Sequence, residues 1–409
     1  MTIQRTANLN GICYEVAILE PPVVGQLETT VEQVGNWKEK DCYVVERQTA
    51  YGEAIARILG YGSFLGRTTL DEEGIKQMER DMAAGSNLFF LPHMTLCDHS
   101  TVDRLGINVG NFYGGIVGFE HERTKLIMHD LLHPPAIRPD GWNERFANAI
   151  SHLALPGYSV FALEDLKTAV RKILASFSRA RIKLATGADG LGQFVVDSLT
   201  SLEPIIQQIV AANIIHNGAC VEVDLNEPTT YSINTDTIGD LRISSIGVHR
   251  RHMENPNAQT EIGTDYNMVV GNVDEIRLEL TSLNQDHVRR IIDLIHEFDQ
   301  QVSRHLPHIL LTRKTYQAII GTDDRGQQHI GVLEQSWRRG GSSANTLLAA
   351  QEFLNDPNLV QVSCSQDNSF SGNIEPGYWV LSTCRSLPVV SRVTSRHFVP
   401  REKSREISN

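Results

Sequence analysis

The sequence predicts an α+β protein, and three observations carry that expectation. Strand-like and helix-like segments alternate from Tyr14 to about residue 115, the pattern of an α/β unit. In mid-chain, Arg181 to Val196 reads as strand, glycine loop, strand, with Gly187, Gly190 and Gly192 inside six residues. The second half holds one long amphipathic helix among several β-branched runs.

In the first half, Tyr14 to Leu19 reads as a strand, and Ala50 to Leu59 as a helix by the spacing of Ile55, Ile58 and Leu59. Asp71 to Met82 is a second helix, opened by acidic residues that suit its N-terminal dipole. Leu88 to Pro92 is a buried strand and Thr101 to Leu105 a short helix. Phe112 to Gly118 is a glycine-rich connector, and Arg123 to His129 a strand or helix start carrying Lys125 inward. The prolines from His133 to Pro139 make an extended link. Trp142 to Leu153 is helical, Leu155 to Phe161 turn then strand, and Glu164 to Phe177 an amphipathic helix with Leu166, Val170 and Ile173 on one face.

Beyond the glycine loop, Thr200-Ser-Leu-Glu203 is a capping-box pattern for a helix to about Ala212. Gly218 to Leu225 reads as a strand joining two parts of the chain, followed by paired strands at Thr229 to Asn234 and Asp240 to Val248. Arg250 to Asp265 is polar and reads as a long loop. Asn284 to Leu306 is a helix with Val288, Ile291, Ile292, Ile295, Phe298 and Val302 as its buried stripe. Thr315 to Ile320 and His329 to Gln335 are strands, Ser343 to Leu354 a helix, and short strands follow Val360. The tail from Arg401 has the composition of a disordered segment.

A chain of 409 residues is long enough for two or three domains with buried cores. Its net charge of −12 disfavours nucleic acid and anionic membrane as partners, so any phosphate ligand needs a few local cations. No apolar run reaches the ~18–20 residues of a membrane span. The first residues lack a basic and an apolar leader region, and a cytoplasmic location is expected. Cys13, Cys42, Cys97, Cys220, Cys364 and Cys384 have no zinc or disulfide spacing and read as reduced thiols. His93, Cys97, Asp98 and His99 fit no standard zinc pattern and read as a polar loop.

The glycine loop is the first candidate site. Its amides suit phosphate oxygens, and Lys183 would add a charged hydrogen bond, although a plain β-hairpin explains the same glycines. Three other segments join it: Lys125; the strand end Glu222-Val-Asp224-Leu225; and Glu334-Gln-Ser336-Trp-Arg338, whose even spacing on a strand end aims Glu334 and Arg338 at one face. Lys125 alone reads more readily as a solvated surface lysine and Glu334 alone as an edge-strand charge; the order of the segments over more than 200 residues sets them apart.

In that order the chain resembles the ATP-grasp superfamily, in which two α+β lobes hold ATP between them. It is more similar still to a bacterial family of unknown function with a biotin-carboxylase-like domain. Four segments carry the likeness: Leu155 to Asp165, Glu227 to Ile233, the loop at Arg250, and Gly331 to Gly341. The resemblance implies an α/β N-terminal domain (1–115), a linker and small lobe (116–225), a large lobe with the metal site (226–400) and a tail (401–409). It implies that Lys125 and Lys183 contact the α- and β-phosphates and that Gly187 to Gly192 cover the triphosphate. Glu222 to Leu225 would present backbone groups to the adenine, with Asp224 or Glu227 on the ribose. Glu334 would hold Mg²⁺, and Arg338 would face the reacting phosphate or its acceptor.

Two positions depart from the superfamily pattern: Ser336 replaces an asparagine, and Gln317 stands where an aspartate ligand is expected, with Asp323 and Asp324 in the next turn as compensation. The function implied is an ATP- and Mg²⁺-dependent ligase joining a small carboxylate to an amine or thiol through an acyl phosphate. Arg250 and Arg251 would bind the acceptor's carboxylate, and a homodimer is expected by analogy. The alternatives are a nucleotide-binding regulatory protein without turnover and a small-molecule kinase.

Overall fold

A computed structural model describes residues 14–20, 49–61, 63–135, 137–185, 187, 192–211, 217–251, 261–279, 286–367, 378–382 and 389–398. The first sheet is parallel, in the order β2-β1-β3, from β1 (Tyr14–Glu20), β2 (Ser63–Thr69) and β3 (Asn87–Pro92). Val16, Ala17 and Leu19 on central β1 are fully buried, as a strand covered on both faces requires. Helix α1 (49–59) buries Tyr51, Ala54 and Ile55 with Val16 and Phe89; α2 (Glu72–Ala83) buries Ile75 and Met78 with Leu19 and Phe90. Asp71 caps α2 by accepting from the Gly74 N–H at 2.8 Å. Asp98 caps α3 (His99–Arg104) in the same way, which accounts for one member of the His/Cys/Asp cluster. Strand β2 had no counterpart in the sequence reading.

Arg123 to His129 is neither strand nor α-helix. Two 3₁₀ turns, Glu120–Arg123 and Lys125–Met128, stand there, and Thr124 Oγ1 accepts from the Leu126 N–H at the second one's start. The tight winding buries Lys125, Leu126, Ile127 and Met128 together. Short strand β4 (Gly115–Ile116) pairs with β12 (Leu310–Leu311), tying this connector to the second half of the chain. Helix α4 covers only Glu144–Ile150 of the stretch read as Trp142 to Leu153, with Asn143 as its cap.

A four-stranded antiparallel sheet follows, ordered β5-β8-β6-β7: β5 (Gly157–Val160), β6 (Ala180–Leu184), β7 (Gln193–Val196), β8 (Ala219–Val223). Helices α5 (Leu163–Ser176) and α6 (Leu199–Ala211) cover it, burying Leu166, Val170, Ile173, Leu202 and Ile209 against Val160, Ile182, Val196 and Val221. Full burial of each such side chain contributes roughly 1.5–3 kcal/mol. The cap of α6 is Ser198, whose Oγ accepts from the Ser201 N–H at 3.1 Å, so the helix starts before the expected Thr200.

The largest sheet has eight antiparallel strands in the order β14-β13-β9-β10-β11-β15-β17-β16. They are β9 (Asn226–Ile238), β10 (Leu241–Arg251), β11 (Glu261–Val270), β13 (Arg313–Thr322), β14 (Gln328–Ser336), β15 (Leu359–Asp367), β16 (Tyr378–Ser382) and β17 (Val389–Phe398). Glu261–Val270 is thus a strand where a polar loop was expected as far as Asp265; of that loop, 252–260 lie outside the described residues, as do the tail 401–409 and Gly190. Helix α7 (Val273–Glu279) was also unforeseen.

Helix α8 (Asp286–His305) buries the whole expected stripe against Tyr231, Ile233, Ile246, Tyr316, Ala318 and Val332. The intervening residues of β9, Ser232, Asn234 and Asp236, face the other way. That side is met by α9 (Gly341–Asn355) and by Tyr113, and all three residues are buried. No helix of the described residues is long and apolar enough to cross a membrane.

Gly331 lies where β14 meets the segment entering the small sheet. A Cβ there would sit 2.7 Å from Leu155 N and 2.9 Å from Ala154 C, both backbone atoms. Gly331→Ala is therefore expected to destabilise the fold by about 1–3 kcal/mol, read as a lower urea midpoint at unchanged m-value.

Candidate active site

The site begins with two lysines that different elements bury. Lys183 on β6 places Nζ 2.6 Å from Glu222 Oε1 on neighbouring β8, and both side chains are at most 5% exposed. The second oxygen of Glu222 lies 3.1 Å from His129 Nε2, also buried. Lys125, from the second 3₁₀ turn, places Nζ 3.1 Å from Glu334 Oε2 on β14 and donates to the Gly187 carbonyl at 2.8 Å. Turn, small sheet and large sheet therefore meet at one cluster of charge.

The electrostatics follow from that pairing. Burial alone would raise the Glu222 carboxyl, but Lys183 and His129 outweigh it and hold it down at about 2. Glu334 is likewise held below the usual carboxylate range: against the cost of burial stand Lys125, Lys183 and Arg338. Both acids are ionised at neutral pH.

Cross-strand register arranges the rest of this face in rows. Glu334 stands opposite Gln317, and Gln317 opposite Ser232. Ser336 stands opposite Thr315, and Thr315 opposite Asn234. Directly opposed residues share a face, with Cβ atoms about 4.5–5.5 Å apart. Glu334, Gln317 and Ser336 thus offer a carboxylate, an amide oxygen and a hydroxyl to one space. Among the described residues no group of three or more His, Cys, Asp or Glu is placed to hold a metal. Asp323 and Asp324 do not join the row. They sit at the far end of the β13–β14 hairpin, where Asp323 bonds His329 and Asp324 bonds Asn226.

In the glycine loop, Gly187 and Gly192 approach each other: the Gly187 N–H donates to Leu184 O, and the Leu184 N–H to Gly192 O. Gly192 has φ +70°, which favours glycine. At the join of β8 and β9, Asp224 is clamped by Arg179 and Arg181, with Arg181 Nε at 2.9 Å. Leu225 is buried with Leu155, Val223 and Ile319. Glu227 is exposed at φ +46°, and among the described residues it is the one non-glycine with positive φ. Such strain of about 1 kcal/mol or more tends to collect at functional sites.

Two placements differ from the sequence reading. Strand β14 ends at Ser336, so Arg338 lies in the loop before α9 and not in strand alternation with Glu334. It still contributes to the field on Glu334, and its Nη1 donates to Arg339 O at 3.1 Å. Arg250 projects from the sheet face opposite to His249 and bonds Asp367, Ser365 and Gln366 O, away from the acid row. The side chain of Arg251 lies outside the described residues.

Sequence reasoning did not single out His129, the Ser232–His249 pair at 2.6 Å, or the buried Arg313–Asp236 pair at 2.8 Å. The alternation Tyr231-Ser-Ile-Asn-Thr-Asp236 was the one available signal, and it reads as a half-exposed strand. The thiols of Cys220 and Cys364 are buried, which pushes them up to about 11 and about 12; Cys13, Cys42 and Cys384 lie outside the described residues.

The Glu222 cluster carries a pH signature. Its folded value of about 2 lies below the unfolded value of 4.5, so its stabilisation is complete above pH 4.5 and is lost as pH falls toward 2. Glu222→Gln should be less stable than the parent at pH 7, with the difference shrinking between pH 4.5 and 2. Denaturant titrations at stepped pH check this, and a gap independent of pH would contradict the pairing.

Comparison with solved structures places the fold. The chain superposes on N5-carboxyaminoimidazole synthetase from Staphylococcus aureus, solved with ADP, with a TM-score of 0.51 at 12% identity over 98% of each chain. It superposes on carboxyaminoimidazole ribonucleotide synthase from Aspergillus clavatus, solved with ATP, with a TM-score of 0.51 at 9% identity over 93% of this chain and 94% of that one. Comparison with curated proteins finds no match. The fold is that of the ATP-grasp enzymes. The sequence matches, over residues 38–378, the family described as Protein of unknown function (DUF3182), and the chain belongs to that family.

Proposed function

We propose that the protein is an ATP-dependent ligase that joins a small carboxylate to an amine or thiol through an acyl phosphate. The observation that carries this reading is the convergence of Lys125, Lys183, Glu334 and the Gly187 backbone at one cluster. The fold shared with two enzymes solved with ADP and ATP supports a nucleotide there. We take residues 1–115, 116–225 and 226–400 as the three working units.

In this reading Lys125 and Lys183 bind the triphosphate, with the Gly187 backbone beside Lys125. The segment through Leu225 borders the adenine, and Glu227 reaches the ribose. Glu334, Gln317 and Ser336 would hold Mg²⁺; one carboxylate with neutral oxygens suits an ion that takes most of its shell from phosphate and water. The ion supplies charge neutralisation at the phosphates. A carboxylate oxygen attacks the γ-phosphorus, the bridging P–O bond breaks, and ADP leaves. The amine or thiol then attacks the acyl carbon and releases a proton to solvent, the acyl C–O bond breaks, and phosphate departs beside Arg338. The chain's own share is positioning and charge stabilisation, with no covalent enzyme intermediate. Arg250, engaged on the other face, has no part in it.

Gln317 favours a second reading, a nucleotide-binding protein without turnover, because it brings no charge opposite Glu334. Calorimetry separates the two: ATP affinity independent of Mg²⁺, with no ADP formed across a panel of acids and amines, selects the second.

Glu334→Gln is the cleaner test of the first, since the amide keeps an oxygen for Lys125, which also retains the Gly187 carbonyl as acceptor. ADP release dependent on both substrates should fall by about 100-fold or more, with folding retained. Turnover at the parental rate would overturn the reading. Glu227→Gly should raise stability by about 0.5–1 kcal/mol by relieving the positive φ, while weakening ATP binding several-fold in calorimetry.

A further inference from the structure

We infer that the buried pair Arg313–Asp236 positions Arg338 and the first turn of α9 for catalysis, and that Tyr113 of the N-terminal region completes this support. The inference rests on the ligase reading for the role of Arg338. Arg313 and Asp236 face each other across β13 and β9, 2.8 Å apart and each 1% exposed. Every nitrogen of the guanidinium has an acceptor. Nε donates to the Arg338 carbonyl at 2.7 Å, Nη1 to Asp236, and Nη2 to Ser342 Oγ at 2.7 Å. Asp236 also accepts from Tyr113 Oη at 3.0 Å and from Thr346 Oγ1 at 2.7 Å.

The network extends toward the acid row through one residue. Asn234 Oδ1 accepts from both Ser342 and Thr315, and Thr315 stands opposite Ser336. On the other side of Arg338, Arg339 donates to the carbonyls of Leu91 and Pro92. The Arg338 backbone is therefore held at its own carbonyl and at the next residue, by groups from β13 and from the end of β3.

Stability alone is a poor reason for this arrangement. A buried ion pair is often matched or bettered by apolar residues of similar volume, whereas its hydrogen bonds fix geometry. A planar guanidinium reaching a carbonyl, a carboxylate and a hydroxyl at once sets the angle of the loop carrying Arg338. Lysine keeps the charge but not the fork.

The test has two arms. In the kinetic arm, Arg313→Lys should lower kcat about 10- to 100-fold with KM for ATP within about twofold, and should cost nothing further in an Arg338→Ala background. The paired change Arg313→Met with Asp236→Leu should stay folded with a comparable thermal midpoint and show the same loss. In the structural arm, amide hydrogen exchange over residues 336–345 of Arg313→Lys should accelerate, while exchange in β6 and β8 stays at the parental rate. Equal losses with and without Arg338, or parental exchange over 336–345, would overturn the inference. Should the parent itself show no turnover, the ligase reading falls, and the exchange arm alone decides whether the pair positions the loop.

Discussion

Buried charge has to be neutralised locally, and that requirement organises the structure. Moving an ammonium or carboxylate out of water costs several kcal/mol unless an opposite charge and hydrogen bonds replace the solvent. Lys183 finds Glu222, which also meets His129, and Lys125 finds Glu334 and the Gly187 carbonyl. These partners come from a 3₁₀ turn, two strands of the small sheet, the glycine loop and an edge strand of the large sheet. Satisfying them brings those elements together, and the cations end where a polyanion would exchange for the carboxylates.

The same demand recurs deeper in the large sheet. One side of β9 packs apolar residues on α8, while Ser232, Asn234 and Asp236 point into a buried polar layer. In that layer Ser232 meets His249, Asn234 accepts from Thr315 and Ser342, and Asp236 from Arg313, Thr346 and Tyr113, so α9 and the N-terminal region close over it without leaving Asp236 unpaired. Trp337, 1% exposed, lies against Gly115, where a Cβ would come within 2.8 Å of its Cβ. The N-terminal region is thus part of the floor on which Arg338 rests.

Much of this was legible in the amino-acid order. The stripe of α8 and the acidic start of α2 identify their helices because burial and capping act within one element. Lys125, Lys183 and Glu334 could be named because their order along the chain has a known counterpart. What the sequence hid depends on pairing between distant strands. Ser232 and Asp236 look like the solvent side of a strand until His249 meets the one and α9 the other. Arg250 looks like an acceptor ligand until the register of β10 turns it to the other face. Even spacing sets Arg338 in alternation with Glu334, but β14 stops at Ser336. Asp323 was expected to supplement Gln317, yet the hairpin carries it away to His329.

The central claim is that Lys125, Lys183 and Glu334 surround a single triphosphate. A crystal structure with a non-hydrolysable ATP analogue and Mg²⁺ tests it most directly. Phosphate oxygens are expected within hydrogen-bond distance of both lysine ammoniums, with Lys125 released from Glu334 and Glu334 turned to the metal. An analogue bound elsewhere, with the Lys125–Glu334 and Lys183–Glu222 pairs intact, would contradict it.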